Sequence, residues 1–583
     1  MDNNLIIQAI ITGPLLLSIF CFLWPRLAKW LALLVAMASL AGAALVFFRA
    51  ATLASGLLLA GAFFTLLVTV YSFDYMKERG RQGEYYGYLL LTLGAFSSVV
   101  FAADFLMLLF AWGIMGVALY LLVGLGGPKA SSAATKTLLL VGGSDALMII
   151  GIGLVVVLTR SFQIGSVPLP TDDPLAIMAF ICLAAGAFAK AGVMPLHGWI
   201  PDSAEVAPLP VMAYLPAALD KLAGIYLLFR LCTDVFSISL NSLLSNSLLA
   251  IGSFTIVAAV FAAMIQHDLK KLLSFHAVSQ VGYMVVGIGT GMPLGIAGGL
   301  FHMFNHTLYK SCLFFSAGAV ESKTGETDLD KLGGLARSMP WTFLATAMAA
   351  LAISGVPPFN GFFSKWLIYQ GLIELAPLNP YWIIFLLAAM FGSALTLASF
   401  VKVIHAVFLG QGDKTTVSVK EVSFLMLWPM LTLAGLCLLF GLVPLPLNSF
   451  IYSLTGKVDF VGGWQPLVAI IFILASLVIG WLLYLVGQVA KSQIKPVFIG
   501  GELISDEETK VSGINFYAEV RRWGWLETIF GWGEKRYFDL SNWAGQLTGL
   551  LADKLSRLQN GLLRSYLFWL AGGVVIIFFV LMK

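Results

Sequence analysis

The chain has 583 residues, of which 59% are hydrophobic and 11% charged, with a formal net charge of +4. A water-soluble domain carries about 25% charged residues, so lipid must be the solvent for much of this surface, and a soluble enzyme is excluded. A net charge this small also argues against a nucleic-acid partner.

The hydrophobic runs predict roughly sixteen spans of about twenty residues each. They fall near 5–24, 28–49, 53–73, 84–101, 104–124, 135–159, 174–194, 209–231, 243–265, 274–294, 296–320, 341–367, 380–409, 422–444, 464–488 and 565–582. The first lacks a basic leader and a small-residue cleavage site, and reads as a retained span rather than a signal peptide. The alternation of barrel strands is missing, so the fold class is an all-α polytopic membrane protein.

Residues 1–83 hold the first three spans, and 84–232 the next five. Within those five, Asp145, Lys190, Asp220 and Lys221 lie at membrane depth, where a charge costs roughly 2.5 kcal/mol or more unless it faces an interior or a watery path. Lys190 sits in AFAKAGVMPLHGW, and the proline and glycines there predict a break in span 7. Asp145 is a partner candidate for a lysine. Asp220 and Lys221 are adjacent and point in different directions on a helix, so they do not pair with each other.

Residues 243–410 hold another five spans. His302, His306 and Lys310 are spaced i, i+4, i+8 and share one helix face about 6 Å apart, a spacing that suits proton hopping through water. Helix–helix hydrogen bonding is the structural alternative, and metal binding lacks a third ligand. Lys365 lies in ISGVPPFNGFFSKW, a second proline-interrupted span. Two interrupted spans in corresponding positions point to a transporter built from two repeats; a snorkelling lysine is the alternative for each. Lys402 and His405, one turn apart in span 13, form either an exit to water or an interfacial anchor.

Spans 14 and 15 occupy 411–490, and 565–583 forms a last anchor. Between them, 491–564 is polar, with Leu547, Leu550, Leu551, Leu555, Leu558 and Leu562 on one side and Asp553, Lys554 and Arg557 on the other. That pattern predicts an amphipathic segment lying along the membrane surface, broken around Gly531–Gly533, with a small soluble cap as the alternative. Loop charges set orientation: fourteen Lys and Arg, among them Lys77, Arg79, Lys270 and Lys271, fall in odd-numbered loops, against four in even-numbered ones. Both termini are then expected on the periplasmic side and the amphipathic segment on the cytoplasmic side of a prokaryotic plasma membrane. Cys21, Cys182, Cys232, Cys312 and Cys437 show no CxxC spacing and read as buried hydrophobes, not as cluster or metal ligands.

The runs DLKKLLSFHAVSQVGYMVVGIG (268–289), HMFNHTLYKSCLFFSAG (302–318), KAGVMPLHGWIPD (190–202) and GFFSKW (361–366) resemble the antiporter-like subunits shared by respiratory complex I, Mrp-type cation/proton antiporters and membrane-bound energy-converting [NiFe] hydrogenases. The resemblance implies two inverted five-helix repeats and a proton path along the bilayer midplane. Lys190 would be its central lysine, Lys221 or the His302–His306–Lys310 stripe the link to the second half, and Lys365 the terminal lysine. The tail resembles the lateral helix of the family's largest, most distal member. The family's Trp-Glu pair in span 5 is here Trp112-Gly113, which leaves Asp145 as the candidate partner of Lys190. Span 8 reads PVMAYLPAALDKLAG, with Pro216 where the distal subunit of complex I has a histidine, and is more similar to the hydrogenase type.

The expected function is proton translocation in a redox-driven complex. No cofactor is expected in this chain, and Fe–S clusters and a NiFe centre are expected in partner subunits. The alternatives are a Na+/H+ antiporter module of Mrp type and a non-conducting scaffold. A sodium site wants several oxygens, whereas this set is rich in lysine and histidine.

Overall fold

The computed structural model describes residues 3–410, 419–443, 466–486, 524, 527–528, 531–532, 540–558 and 563–581. The chain divides into two compact units, Met1–Leu526 and Glu527–Lys583. In the first, α1 (Asn3–Leu23), α2 (Ala28–Arg49) and α3 (Leu53–Tyr75) precede α4 (Gln82–Val100), α5 (Phe105–Gly124) and α6 (Ser131–Thr159). The interrupted region follows: α7 (Pro174–Ala191), the short α8 (Trp199–Val206), then α9 (Leu209–Tyr214) and α10 (Asp220–Arg230) joined by a π turn, Leu215–Leu219. Next come α11 (Leu243–Met264), α12 (Leu269–Gly289), the 32-residue α13 (Pro293–Thr324), the half-helices α14 (Pro340–Ser354) and α15 (Asn360–Glu374), α16 (Trp382–Ile404), α17 (Phe424–Leu442) and α18 (Pro466–Val486). The second unit contains α19 (Leu540–Leu558) and α20 (Leu563–Leu581).

Every predicted span contains described helix, with shifts at the edges. Span 12, expected at 341–367, is two helices, and the second runs on to Glu374. Eleven described helices are long and apolar enough to cross a membrane. The burial pattern is inverted relative to a soluble protein. Phe48, Phe110 and Phe254 face outward, while Lys190, Asp220, Lys221, His276, Lys310 and Lys402 are buried, as expected of a multi-pass protein whose solvent is lipid.

The same local devices recur in the same order in the two central groups of helices. Asp104 caps α5 by accepting from the Met107 amide, and Asp268 caps α12 by accepting from the Lys271 amide. Each aspartate also forms an isolated antiparallel bridge to the loop after the next helix, Asp104 to Gln163 and Asp268 to Asp328. Pro174 and Pro340 open α7 and α14, where a missing N–H removes no helical bond. Both helices stop at a left-handed glycine, Gly192 at φ +78° and Gly355 at φ +79°, a conformation that admits no side chain without strain. Both groups close with a five-residue π turn, Leu231–Val235 and His405–Leu409.

Glu421 holds the start of α14 from outside. Its carboxylate accepts from the Trp341 amide at 2.9 Å, the Thr342 amide at 3.2 Å and the Thr342 hydroxyl at 2.6 Å. Glu421→Ala strips that cap and is expected to lower stability by about 1–2 kcal/mol, read as a lower melting temperature of the solubilised protein.

Of the predicted amphipathic segment 491–564, residues 491–523 and the expected break at Gly533 lie outside the described residues. Its longest described stretch is α19, on which Trp543, Leu547, Leu550, Leu551 and Leu555 are all exposed.

Candidate functional site

The interior of the first unit holds a chain of buried cations and imidazoles. Lys190, Lys221, Lys365 and Lys402 share a physical device: their ammonium groups rest on backbone carbonyls, three of them at helix C-termini. There the last carbonyls lack intrahelical partners and the helix dipole favours positive charge. Lys221 donates to the carbonyl of Ala191, the last residue of α7. Lys365 donates to Ile353 in the last turn of α14 at 2.9 Å, and Lys402 to Met264 and Gln266 at the end of α11, both at 2.9 Å. The helix breaks foreseen from proline and glycine therefore create the acceptors that hold Lys221 and Lys365.

Lys190, in the last turn of α7, donates to the Trp112 carbonyl at 3.0 Å and lies 4.5 Å from the centre of the Trp112 ring. Two carboxylates act on it electrostatically, Asp220 from α10 and Asp145 from α6, without forming an ion pair at contact distance. Asp145 is half-buried, with one carboxylate oxygen buried and unpartnered. Asp220 is fully buried, and neither of its oxygens has a hydrogen-bond partner. A Cβ at Gly113 would meet nothing within 4 Å, so the space beside Trp112 is open.

Lys221, on α10, looks toward α13. Its charge acts on His306 and on Lys310, both in α13. The His306 ring has no side-chain hydrogen-bond partner and lies against the Ala217 backbone; it packs edge-on to Tyr309 with centroids 5.5 Å apart. The Lys310 ammonium is buried and unpartnered, 5.7 Å from the Phe314 ring and 5.9 Å from the Phe400 ring.

His302 is fixed from three sides: Ser364 at 2.8 Å on Nδ1, and Gln280 and Tyr309 each at 3.2 Å on Nε2. Ser364 directly precedes Lys365, whose ammonium lies 4.7 Å over the Tyr283 ring; Tyr283 is 5.5 Å from His302, centroid to centroid. Asn305 and Asn360 bond reciprocally, side chain to carbonyl and side chain to side chain, both at 2.9 Å, and tie the start of α15 to α13. His405 opens the final π turn, half-buried, one turn beyond Lys402.

All nine candidate residues thus sit on elements that converge on the bundle interior, with His405 and Asp145 the most peripheral. Sequence reasoning missed His276 on α12. It is fully buried, its Nε2 is 2.7 Å from the Ser399 hydroxyl, and its ring lies 4.8 Å from that of Phe400. The signal was present in the SFHAVSQ run, as a histidine at membrane depth like those of α13.

A family model described as NADH:quinone oxidoreductase/Mrp antiporter, TM, matches residues 102–396, which contain all of the candidate residues except Lys402 and His405. Subunit A1 of a Na(+)/H(+) antiporter from Staphylococcus epidermidis is 34% identical over 404 residues, covering 65% of this chain and 50% of that protein. The chain thus spans about half the length of the curated relatives it matches. Its fold is similar, with a TM-score of 0.82, to a chain of the membrane-bound sulfane sulfur reductase, an archaeal respiratory membrane complex, at 24% identity and covering 99% of this chain and 100% of that one. A chain of the Mrp complex from Dietzia sp. DQ12-45-1b matches with a TM-score of 0.70 at 19% identity, covering 77% of this chain and 97% of that one.

Proposed function

Since the chain belongs to the NADH:quinone oxidoreductase/Mrp antiporter transmembrane family, we propose that it is a proton-translocating subunit of a multi-subunit, redox-driven membrane complex. The carrying observation is the buried set Lys190, Asp220, Lys221, His306, Lys310, His302 and Lys365, with unpartnered groups at Asp220 and Lys310. A finished structural network satisfies its buried polar groups. Leaving two ionisable ones open suits groups that take up and release protons.

The sixteen spans contain two five-helix repeats, 84–232 and 243–410. An odd number of spans per repeat turns the second over relative to the first, and the recurring aspartate caps, proline starts, left-handed glycines and π turns support the duplication. Loop charge orients both termini to the periplasm of a prokaryotic plasma membrane. The amphipathic α19 belongs to a lateral segment on the cytoplasmic side, and α20 is its anchor. The electron-carrying Fe–S clusters, and a NiFe centre if the donor is hydrogen, reside in partner subunits.

Redox coupling is the first reading because the family's description includes NADH:quinone oxidoreductase and one chain of like fold belongs to an archaeal respiratory membrane complex. Na+/H+ exchange is the second reading, favoured by the relative's printed activity.

The test is ion movement by the purified complex in sealed vesicles. Redox turnover should acidify the lumen. A protonophore should collapse the gradient and a sodium ionophore should not. Lys190→Ala should slow translocation roughly a hundredfold, in line with loss of a proton-transfer group. Undiminished pumping by Lys190→Ala would move the non-conducting scaffold to the front, and a gradient abolished by the sodium ionophore would favour sodium exchange.

A further inference from the structure

The proton route described above runs from Lys190 through Lys221 to α13 and on to Lys365. A second set of groups leaves α13 in another direction. Lys310 faces Phe400 of α16, and the same Phe400 ring packs on His276 of α12. His276 is hydrogen-bonded through Nε2 to Ser399, and its Nδ1 is buried and unpartnered. Ser399 and Lys402 stand three residues apart and so share a face of α16.

Depth orders these groups. His276 lies seven positions into α12, about 10 Å from its start at 1.5 Å per residue. Lys310 lies fourteen positions before the end of α13, about 20 Å from it on the same measure. Lys402 is near the end of α16, on carbonyls at the end of α11. Asp330, in the loop after α13, acts on it electrostatically. The Asp268–Asp328 bridge joins the start of α12 to the loop that leaves α13, so these helix ends share one face, the face that carries Lys270 and Lys271. Lys310, His276 and Lys402 thus form a ladder from the interior toward that face, with an imidazole on the middle rung.

We propose that His276 relays protons between Lys310 and Lys402, as a branch toward the Lys270–Lys271 face, and that the Phe400 ring is the gate of that branch. The inference rests on the proton-translocation reading and adds a separate portal to it. In the relay a proton leaves the Lys310 ammonium and enters the imidazole at Nδ1. The Nε2 proton departs past the Ser399 hydroxyl to the Lys402 amine. One proton is gained at Lys402 for each one lost at Lys310, and no electron moves. With the Phe400 ring packed on both donor and relay, the transfer is interrupted. When the ring swings aside, water completes it. A route open to both membrane faces at once would dissipate any gradient, so a branch of this kind needs an apolar gate.

The test uses the intact complex in sealed vesicles, with a lumenal pH dye and Lys190→Ala as a parallel control. His276→Gln retains a side chain able to hydrogen-bond Ser399 but cannot relay a proton; it should slow turnover-driven translocation about tenfold or more. Phe400→Ala should raise passive proton leak several-fold without turnover, and adding His276→Gln should remove that leak. The double variant separates a relay from a packing role, because a purely structural histidine would not abolish a leak created at Phe400. The proposal is overturned if His276→Gln pumps at the wild-type rate while Lys190→Ala does not, if Phe400→Ala does not leak, or if its leak persists in the double variant. Wild-type pumping by both His276→Gln and Lys190→Ala would instead overturn the underlying proton-path reading.

Discussion

Lys221→Ala is expected to reduce proton translocation roughly a hundredfold in a complex that still assembles. Lys221 is the hinge of the route. On one side it caps the end of α7 through the Ala191 carbonyl, one residue beyond Lys190. On the other its charge is felt by His306 and Lys310. A proton arriving on Lys221 raises the cost of a second charge on either α13 group, and a proton leaving lowers it, so the lysine couples occupancy in the two halves through charge alone. Removing it also leaves Asp220 buried with one fewer cation nearby, which penalises folding. The companion variant is therefore Lys221→Met with Asp220→Asn, which keeps volume and removes both charges. The double variant should assemble at least as well as Lys221→Ala, and transport should not return. Wild-type transport by an assembled Lys221→Ala complex would show that the halves communicate by another path.

The spans and most of the buried charges were legible in the sequence because each is a local contradiction: an apolar run of membrane length, or a charge inside one. The breaks in spans 7 and 12 were legible for the same reason, since proline and glycine act on the backbone where they stand. What could not be read was anything fixed by distant partners. The three bonds that orient His302 come from α12, α13 and α15. His276 looks like any core histidine until Ser399, 123 residues away, is seen against its Nε2. The lysine contacts were hidden in another way. Their partners are backbone carbonyls, which exist in every residue and leave no signature in composition.

The Asp145 expectation illustrates the limit. The sequence offered a single carboxylate to replace the missing glutamate at Gly113. The structure surrounds Lys190 with two carboxylates at longer range, and the more deeply buried is Asp220, of which the sequence says only that it points away from Lys221. Sequence adjacency says which residues diverge on a helix. It does not say which distant group each one then meets.

Gly361→Ala is expected to destabilise the protein more than any other single methyl added at the helix breaks, and to stop transport as a consequence. A Cβ at this position would fall on the carbonyl of Ala352, in the last turn of α14. Backbone cannot swing away as a flexible side chain can, so α14 and α15 would have to separate. The structure gives them little room. Gly441 of α17 already stands so close to the Pro358–Asn360 backbone that a Cβ there would also collide, and the Asn305–Asn360 pair pins the start of α15 to α13. Overpacking a core by a methylene typically costs 1–3 kcal/mol, and a clash with fixed backbone belongs at or above the top of that range. Separation would also carry Lys365 off the Ile353 carbonyl, since the lysine is one turn beyond Gly361 on the same half-helix. Gly113→Ala is the matched control, because its Cβ meets nothing within 4 Å, and its melting temperature should be no lower than that of the wild type. If Gly361→Ala melts and pumps like wild type, the two half-helices have more freedom than this packing allows, and the carbonyl that holds Lys365 is not the fixed acceptor described above.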